Sequence, residues 1–254
     1  MENESMFHVK HYWESFAKET AEFGIDLTDR QIDQLHIYYD ELLSWNEKIN
    51  LTAITELNDV LTKHYLDSLS ITKILPYKVL NSGLRTVDVG TGAGFPGMVL
   101  AVCCPESKFI LMDSLQKRVG FLNNCIEKTG LRNCTAVHAR AEEAAHMKEY
   151  RDQSDLVVSR AVADLSVLAE YDLPFLKIGG KFVAYKTEKG KDELAHAEKA
   201  IKLLGGRFID QKEFDLQAGN GDAYNRLLIM IEKFKVTPGR YPRKAGMPSK
   251  EPIQ

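Results

Sequence analysis

Val87-Asp88-Val89-Gly90-Thr91-Gly92-Ala93-Gly94-Phe95-Pro96-Gly97 is the stretch on which the fold turns. An apolar run from Arg85 ends at Val89 in three alternate glycines, and the apolar segment after Pro96 has helical length. A strand that enters a helix through a glycine-rich turn opens a βαβ unit. Glycines there let the backbone pass close to a ligand with no Cβ in the way. Pro96 suits a first helical turn, where its missing N–H costs nothing, and the helix that follows is expected to offer free N–H groups.

Downstream of this loop the rhythm repeats. Short apolar runs predict strands at Arg85 to Val89, Phe109 to Met112, Ala136 to His138, Leu156 to Ser159 and Lys181 to Ala184, with helices between them. A helix is expected from about Lys191 to Leu204, stopped by Gly205-Gly206. Arg207 to Ile209 and Arg226 to Ile231 follow with no helical pattern between them, so they predict an antiparallel hairpin on one sheet edge. The expected fold class is α/β: a seven-stranded, mostly parallel sheet with helices on both faces.

Upstream, Thr28 and Gln31 have capping-box spacing, and Ile32, Leu35, Tyr38, Tyr39, Leu42 and Leu43 recur at helical intervals. After a polar break at Asn46 to Thr52, Val60, Leu61, Tyr65, Leu69 and Ile74 predict a second helix, closed by Pro76 and by Asn81-Ser82-Gly83. At the other end, residues 236–253 hold four of the eight prolines and two glycines, which argues against any helix there. Three parts are therefore expected: an N-terminal helical extension (1–83), an α/β core (84–234) and a basic, proline-rich tail (235–254).

The 254 residues suffice for one large α/β domain with an appendage, and 44% apolar with 27% charged residues excludes a disordered or fibrous chain. A net charge of −3 would argue against a nucleic-acid partner, but it conceals a gradient. Residues 1–83 carry 7 basic and 14 acidic side chains, residues 84–234 carry 21 of each, and residues 235–254 carry 5 and 1. Cys103, Cys104, Cys125 and Cys134 lack metal-ligand spacing and are expected as free thiols in a reducing cytosol. His8 and His11 have helical spacing but no third ligand nearby, so no metal is expected. The start of the chain has acids where a signal peptide needs bases, and the longest apolar run, Met98 to Cys104, is seven residues against the ~20 that span a bilayer. A cytoplasmic protein with no membrane partner is expected, and nothing requires more than a monomer.

The glycine loop fits two cofactors. Gly92-x-Gly94-x-x-Gly97 matches the dinucleotide fingerprint, with Asp113 placed to bind a ribose, which would make the chain an NAD-dependent dehydrogenase. Asp88-x-Gly90-x-Gly92-x-Gly94 is the longer match, and its acid suits a cationic ligand such as S-adenosylmethionine, with Asp113 again on the ribose. A non-catalytic nucleotide- or RNA-binding module is a third reading.

Further segments make a resemblance specific. Trp45-Asn46-Glu47-Lys48-Ile49-Asn50-Leu51-Thr52-Ala53-Ile54, Lys63-His64-Tyr65-Leu66-Asp67-Ser68-Leu69 and the glycine loop resemble the bacterial small-subunit (16S) ribosomal RNA guanine-N7 methyltransferase family, also called glucose-inhibited division protein B. Asp113-Ser114-Leu115-Gln116-Lys117-Arg118, Arg140-Ala141-Glu142, Ser159-Arg160-Ala161 and Tyr241-Pro242-Arg243-Lys244 are similar to that family too, so the resemblance runs from about residue 25 to 253. It implies a Rossmann-like class I methyltransferase that uses S-adenosylmethionine to methylate N7 of one guanosine in 16S rRNA. Carried over, Gly90, Phe95, Ala141, Glu142 and Arg160 would bind the cofactor. One departure is Tyr185-Lys186-Thr187-Glu188-Lys189-Gly190, where the family pattern has a shorter Leu-Lys-Gly-like turn.

The chemistry implied needs no general base, because guanine N7 has a free lone pair at neutral pH; no catalytic acid or base is assigned. In-line placement can supply roughly 7–11 kcal/mol of barrier reduction. Asp88, Gly90, Phe95, Asp113, Ala141, Glu142 and Arg160 form the expected cofactor set. Glu142 would take the adenine amino group or cap a helix, and Phe95 would face the cofactor or fill the core. Arg160 would hold phosphate or the outer pocket, the ordinary alternative being an ion pair with Asp155 or Asp164. For RNA, the expected contacts are Lys186, Arg240, Arg243 and Lys244, with Tyr241 available to stack on a base.

Overall fold

The computed structural model describes residues 2–217 and 223–253, with side chains from Lys10 onward. The chain opens with α1 (Glu2–Glu22) and α2 (Asp29–Asn46). Thr28 caps α2 by the predicted box: its Oγ1 accepts from Gln31 N at 3.3 Å, and Gln31 Oε1 accepts from Thr28 N at 2.9 Å.

The second helical pattern is not one helix. It runs as α3 (Leu57–Val60), a π-helical turn at Leu61–Leu66, α4 (Asp67–Leu69), a 3-10 turn at Ser70–Lys73, and then α5 (Tyr77–Leu80). Two buried hydroxyls accompany the change of winding, Ser68 donating to His64 O and Ser70 to Asp67 O, both at 2.6 Å. Such back-bonding competes with regular helix and bends it. The apolar period reads straight through this segment, so it does not reveal the widened turn.

Then β1 (Arg85–Val89), α6 (Gly97–Cys103), β2 (Lys108–Asp113), α7 (Gln116–Thr129), β3 (Cys134–His138), α8 (Ala141–Ala144), β4 (Ser154–Arg160), α9 (Leu165–Asp172), β5 (Leu176–Lys186), α10 (Gly190–Leu203), β6 (Gly206–Gln217) and β7 (Ala223–Lys233) alternate as expected. The seven strands lie in the order β3-β2-β1-β4-β5-β7-β6. Strands β1 to β5 are parallel, while β7 is antiparallel to both β5 and β6.

Alternate residues of each strand enter different cores. Val158 and Val183 join α2, α6, α7 and the N-terminal aromatics Trp13, Phe16, Tyr38 and Tyr65 on one face. Val157, Phe182 and Ala184 join α9, α10 and Tyr241 on the other. The N-terminal helices thus bury their apolar stripes on the sheet side that α6 and α7 also cover. Tyr38 reaches from α2 to donate to Ala93 O inside the glycine loop, and Tyr185 on β5 donates to Ser68 O at 2.7 Å.

The tail departs from expectation in one respect, since α11 (Met247–Lys250) is a single helical turn beginning after Gly246. Pro248 sits in its first positions, where proline is tolerated. All four cysteines are buried and free, and burial pushes the Cys104 thiol up to about 12, which keeps it unreactive. Among the described residues no helix is long and apolar enough to cross a membrane.

Candidate active site

The glycine loop is built around Asp88. This carboxylate is 1% exposed, and its Oδ2 accepts from Thr91 Oγ1 and from Gly97 N, both at 2.7 Å. Gly97 is required because a Cβ there would lie 2.7 Å from that same oxygen. Burial pushes Asp88 up to about 6, against the opposing pull of those two hydrogen bonds and of the Arg160 charge. The expected free N–H at the start of α6 is therefore already taken by an acid of the chain. That arrangement disfavours the dinucleotide reading, whose pyrophosphate needs the helix start for itself. It also corrects the role expected of Asp88, which braces the loop from beneath and does not line a cleft.

Above the loop, at the carboxyl ends of β1, β2, β3 and β4, lies a cleft of about 430 Å³ lined by Gly90, Asp113, Ala141, Glu142, Val162 and Tyr171, among others. This is where ligands bind in open α/β sheets, and the volume suits a small molecule. Gly90, at φ 70°, forms its floor; a Cβ would meet Val162 Cγ2 at 2.8 Å. Asp113 ends β2 facing the cleft, held by Gly92 N at 3.0 Å, Leu115 N at 2.8 Å and Arg118 Nη1 at 3.4 Å. Glu142 begins α8 and accepts from Gly246 N at 2.9 Å through one oxygen. A larger cleft of about 690 Å³ opens at the amino ends of β1, β2 and β3 and contains none of the loop residues.

Phe95 and Arg160 lie outside the cleft lining and meet each other instead. The Arg160 guanidinium is 5.1 Å from the Phe95 ring centroid, and His64 stacks on Phe95 at 4.3 Å. Arg160 Nη1 donates to Asp67 Oδ2 at 2.8 Å and to Lys63 O at 3.1 Å; Arg226 Nε donates to Asp67 Oδ1 at 2.9 Å. The ion pair is thus with Asp67, neither Asp155 nor Asp164. His64 Nδ1 lies 3.3 Å from Arg160 Nη2 and 3.2 Å from Lys63 O. His64 Nε2 is hydrogen-bonded to Thr52 Oγ1 at 2.9 Å. Burial, and then the Arg160 charge, hold His64 down to about 3, so the ring is neutral. Thr52 N and Leu51 N in turn donate to Asn46 Oδ1 at 3.0 and 2.8 Å. The Asn-Leu-Thr segment, the Leu-Asp-Ser-Leu segment and Arg160 therefore form one polar network.

A model of the rRNA small subunit methyltransferase G family matches residues 31–217. The chain belongs to the rRNA small subunit methyltransferase G family. It is 47% identical over 241 residues to the ribosomal RNA small subunit methyltransferase G of Lactobacillus johnsonii, covering 94% of this chain and 99% of that one. Identity to the protein of the same name from Alkaliphilus oremlandii is 49% over 238 residues, 93% of this chain and 97% of that one. A solved SAM-dependent O-methyltransferase from Thermotoga maritima superposes with a TM-score of 0.51 at 17% identity, over 78% of this chain and 71% of that chain. The fold is the Rossmann-like class I methyltransferase fold.

Within this member of the methyltransferase G family, two expected RNA contacts are placed elsewhere. Lys186 is mostly buried, donating to Ala163 O and pairing with Glu193 at 2.7 Å. Arg243 grips Glu170, whose side chain is 1% exposed, with Nη2 to Oε2 at 2.7 Å. Both cations are neutralised by acids of the core, which corrects their reading as phosphate contacts. Arg240 and Lys244 are exposed, with Arg240 lying 5.0 Å over the Tyr241 ring. Tyr241 is itself 7% exposed within the core and is not offered to a base.

Sequence reasoning assigned no site role to Asp67, Arg226, Tyr171, Gly246 and Ser249. Asp67 left one trace, an acid inside the apolar period of a helix. Tyr171, Gly246 and Ser249 line the cleft from α9 and the tail, a proximity no local pattern encodes. The side chain of His8 lies outside the described residues; among those described, no three His, Cys, Asp or Glu residues could hold a metal ion.

Proposed function

We propose that this chain transfers a methyl group from S-adenosylmethionine to N7 of a guanosine in the 16S rRNA of the small ribosomal subunit, acting as a cytoplasmic monomer. Family membership supports the reaction class and the rRNA substrate. The observation that carries the cofactor reading is the Gly97 N–H donating to the buried Asp88. It sets negative charge beneath the loop where a dinucleotide would need positive charge, and favours a cationic ligand above it. S-adenosylmethionine, when bound, supplies an electrophilic methyl group on a sulfonium sulfur.

The residues of the cleft fit that group. Asp113 presents carboxylate lone pairs for ribose hydroxyls, Ala141 and Glu142 flank an adenine-sized end, and Gly90 leaves the floor open. Asp88, Phe95 and Arg160 act from behind the lining, by shaping the loop. In this reading the three parts of the chain divide the work. Residues 84–234 supply most of the cofactor cleft, 1–83 and the end of β4 frame the acceptor side, and 235–254 line the cleft with Gly246 and Ser249 and contribute RNA contacts through Arg240 and Lys244.

Guanine becomes cationic as the methyl group arrives, so free positive charge beside N7 would oppose transfer. The polar network limits that charge. Asp67 is shared by Arg160 and Arg226, and His64 is neutral. What remains is orientation, which alone can supply roughly 7–11 kcal/mol. The direct test is incubation with labelled S-adenosylmethionine and 16S rRNA, offered naked, partly assembled and in complete small subunits. Incorporation is expected in at least one form, and its absence from all three overturns the reading.

A further inference from the structure

The geometry points to the C-terminal segment as a clasp that completes the cofactor cleft, locked by Arg243 on Glu170 and therefore setting cofactor affinity. The inference rests on the cleft being the cofactor site. Tail backbone is held along its path by core side chains. Arg151 donates to Tyr241 O and Thr237 O, each at 2.9 Å, and His146 Nε2 donates to Pro242 O at 2.8 Å. Arg243 then closes on Glu170 through its backbone N at 2.7 Å, Nε at 3.0 Å and Nη2 at 2.7 Å, while the same Nη2 reaches Glu251 O at 2.8 Å. One guanidinium thus pins both ends of the turn between residues 243 and 251.

The pinned turn is a wall of the cleft. Gly246 and Ser249 line it opposite Gly90 and Asp113. Gly246 N donates to Glu142, a residue of the same lining, and Ser249 Oγ lies 3.0 Å from Tyr171 Oη. Glu170 and Tyr171 are neighbours on α9, so the lock and the wall contact rest on one helical turn. The lock is buried at its acidic end, where Glu170 has no other cation within ion-pair distance among the described residues. Without Arg243 the turn has no charged tie to α9, and only molecules with the turn in place would present a complete cleft. Apparent affinity falls in proportion to that fraction.

The test is calorimetric titration of the full chain with S-adenosylmethionine and S-adenosylhomocysteine, plus steady-state methylation of small-subunit RNA. Arg243→Gln is expected to raise both dissociation constants and the cofactor KM roughly tenfold while kcat at saturating cofactor stays within threefold. Arg243→Lys, which keeps the charge but not the two-pronged grip, should fall between. Cofactor affinity within twofold of wild type in Arg243→Gln overturns the clasp, whatever happens to RNA affinity. Should that variant fail to fold by circular dichroism, Gly246→Pro decides. Proline cannot adopt the φ of 80° that Gly246 has and lacks the N–H donated to Glu142, so the turn is displaced while Arg243 and Glu170 are both retained, and unchanged affinity there overturns the clasp equally. Failure of the underlying reading looks different: wild type would bind no S-adenosylmethionine, or Asp113→Ala would bind it as tightly as wild type.

Discussion

Arg160, the last residue of β4, donates to the Asp67 carboxylate at 2.8 Å, across 93 residues of chain. Asp67 also holds Arg226 of β7, so one acid in the irregular helical segment ties two strands to it. The cleft residues Ala161 and Val162 follow Arg160 directly. Position at the cleft mouth thereby depends on an ion pair outside it.

Removing the shared acid leaves two mostly buried guanidinium groups facing each other. Asp67→Ala should destabilise the fold by about 3–5 kcal/mol, the range for breaking a buried pair. Arg160→Ala should cost distinctly less, because Asp67 keeps Arg226. Urea unfolding of the two variants checks the order, and the reverse order would contradict the network.

His64 makes stability depend on acid. Its folded pKa is depressed from 6.5 to about 3, so below pH 6.5 the unfolded chain takes a proton that the folded chain refuses. The stabilisation is complete above pH 6.5 and is lost as pH falls towards 3. His64→Gln should therefore lose less stability than wild type between pH 7 and pH 4, measured by chemical denaturation at each pH.

Asp88 works in the opposite direction. Its pKa is raised from 3.8 to about 6, so its protonated form favours folding fully below 3.8 and that contribution is lost as pH rises through about 6. Asp88→Asn should gain on wild type by up to about 3 kcal/mol on going from pH 4 to pH 8. A constant difference between the two proteins would mean the carboxylate is not desolvated.

Arg240 and Lys244 are exposed and line no part of the cleft. Replacing both by alanine should weaken RNA binding and flatten the plot of log affinity against log salt by roughly 1.4, about 0.7 per phosphate contact on single strands. S-adenosylmethionine affinity should not change. Loss of cofactor affinity without a change in salt slope would assign these residues to the clasp instead.

The order of elements was legible because each core strand is an apolar run ending at a turn, and the glycine loop marks the first crossover. β6 and β7 outrun their expected lengths, since Gln211 to Gln217 is largely polar and its ladder to residues 223–229 comes from cross-strand pairing that composition does not signal. Asp113 was legible by its place at the end of the second strand, and Gly90, Ala141 and Glu142 through the family resemblance; all four line the cleft. Lys186 and Arg243 were misread for one physical reason: a cation in a polar stretch looks solvated until the acid that neutralises it, Glu193 or Glu170, is brought beside it by the fold. His64 and Asp67 belong to contacts nearly a hundred residues long in sequence, beyond the reach of any local period.

The central claim is methyl transfer to one ring nitrogen, and mapping the product tests it most directly. Small-subunit RNA labelled by this chain from S-adenosylmethionine would be digested to nucleosides, and the modified position located by reduction and aniline cleavage, which cut at 7-methylguanosine. The account predicts one labelled nucleoside, 7-methylguanosine, and one cleavage site. Label on a ribose oxygen or an exocyclic amine, or on many guanosines alike, would contradict it.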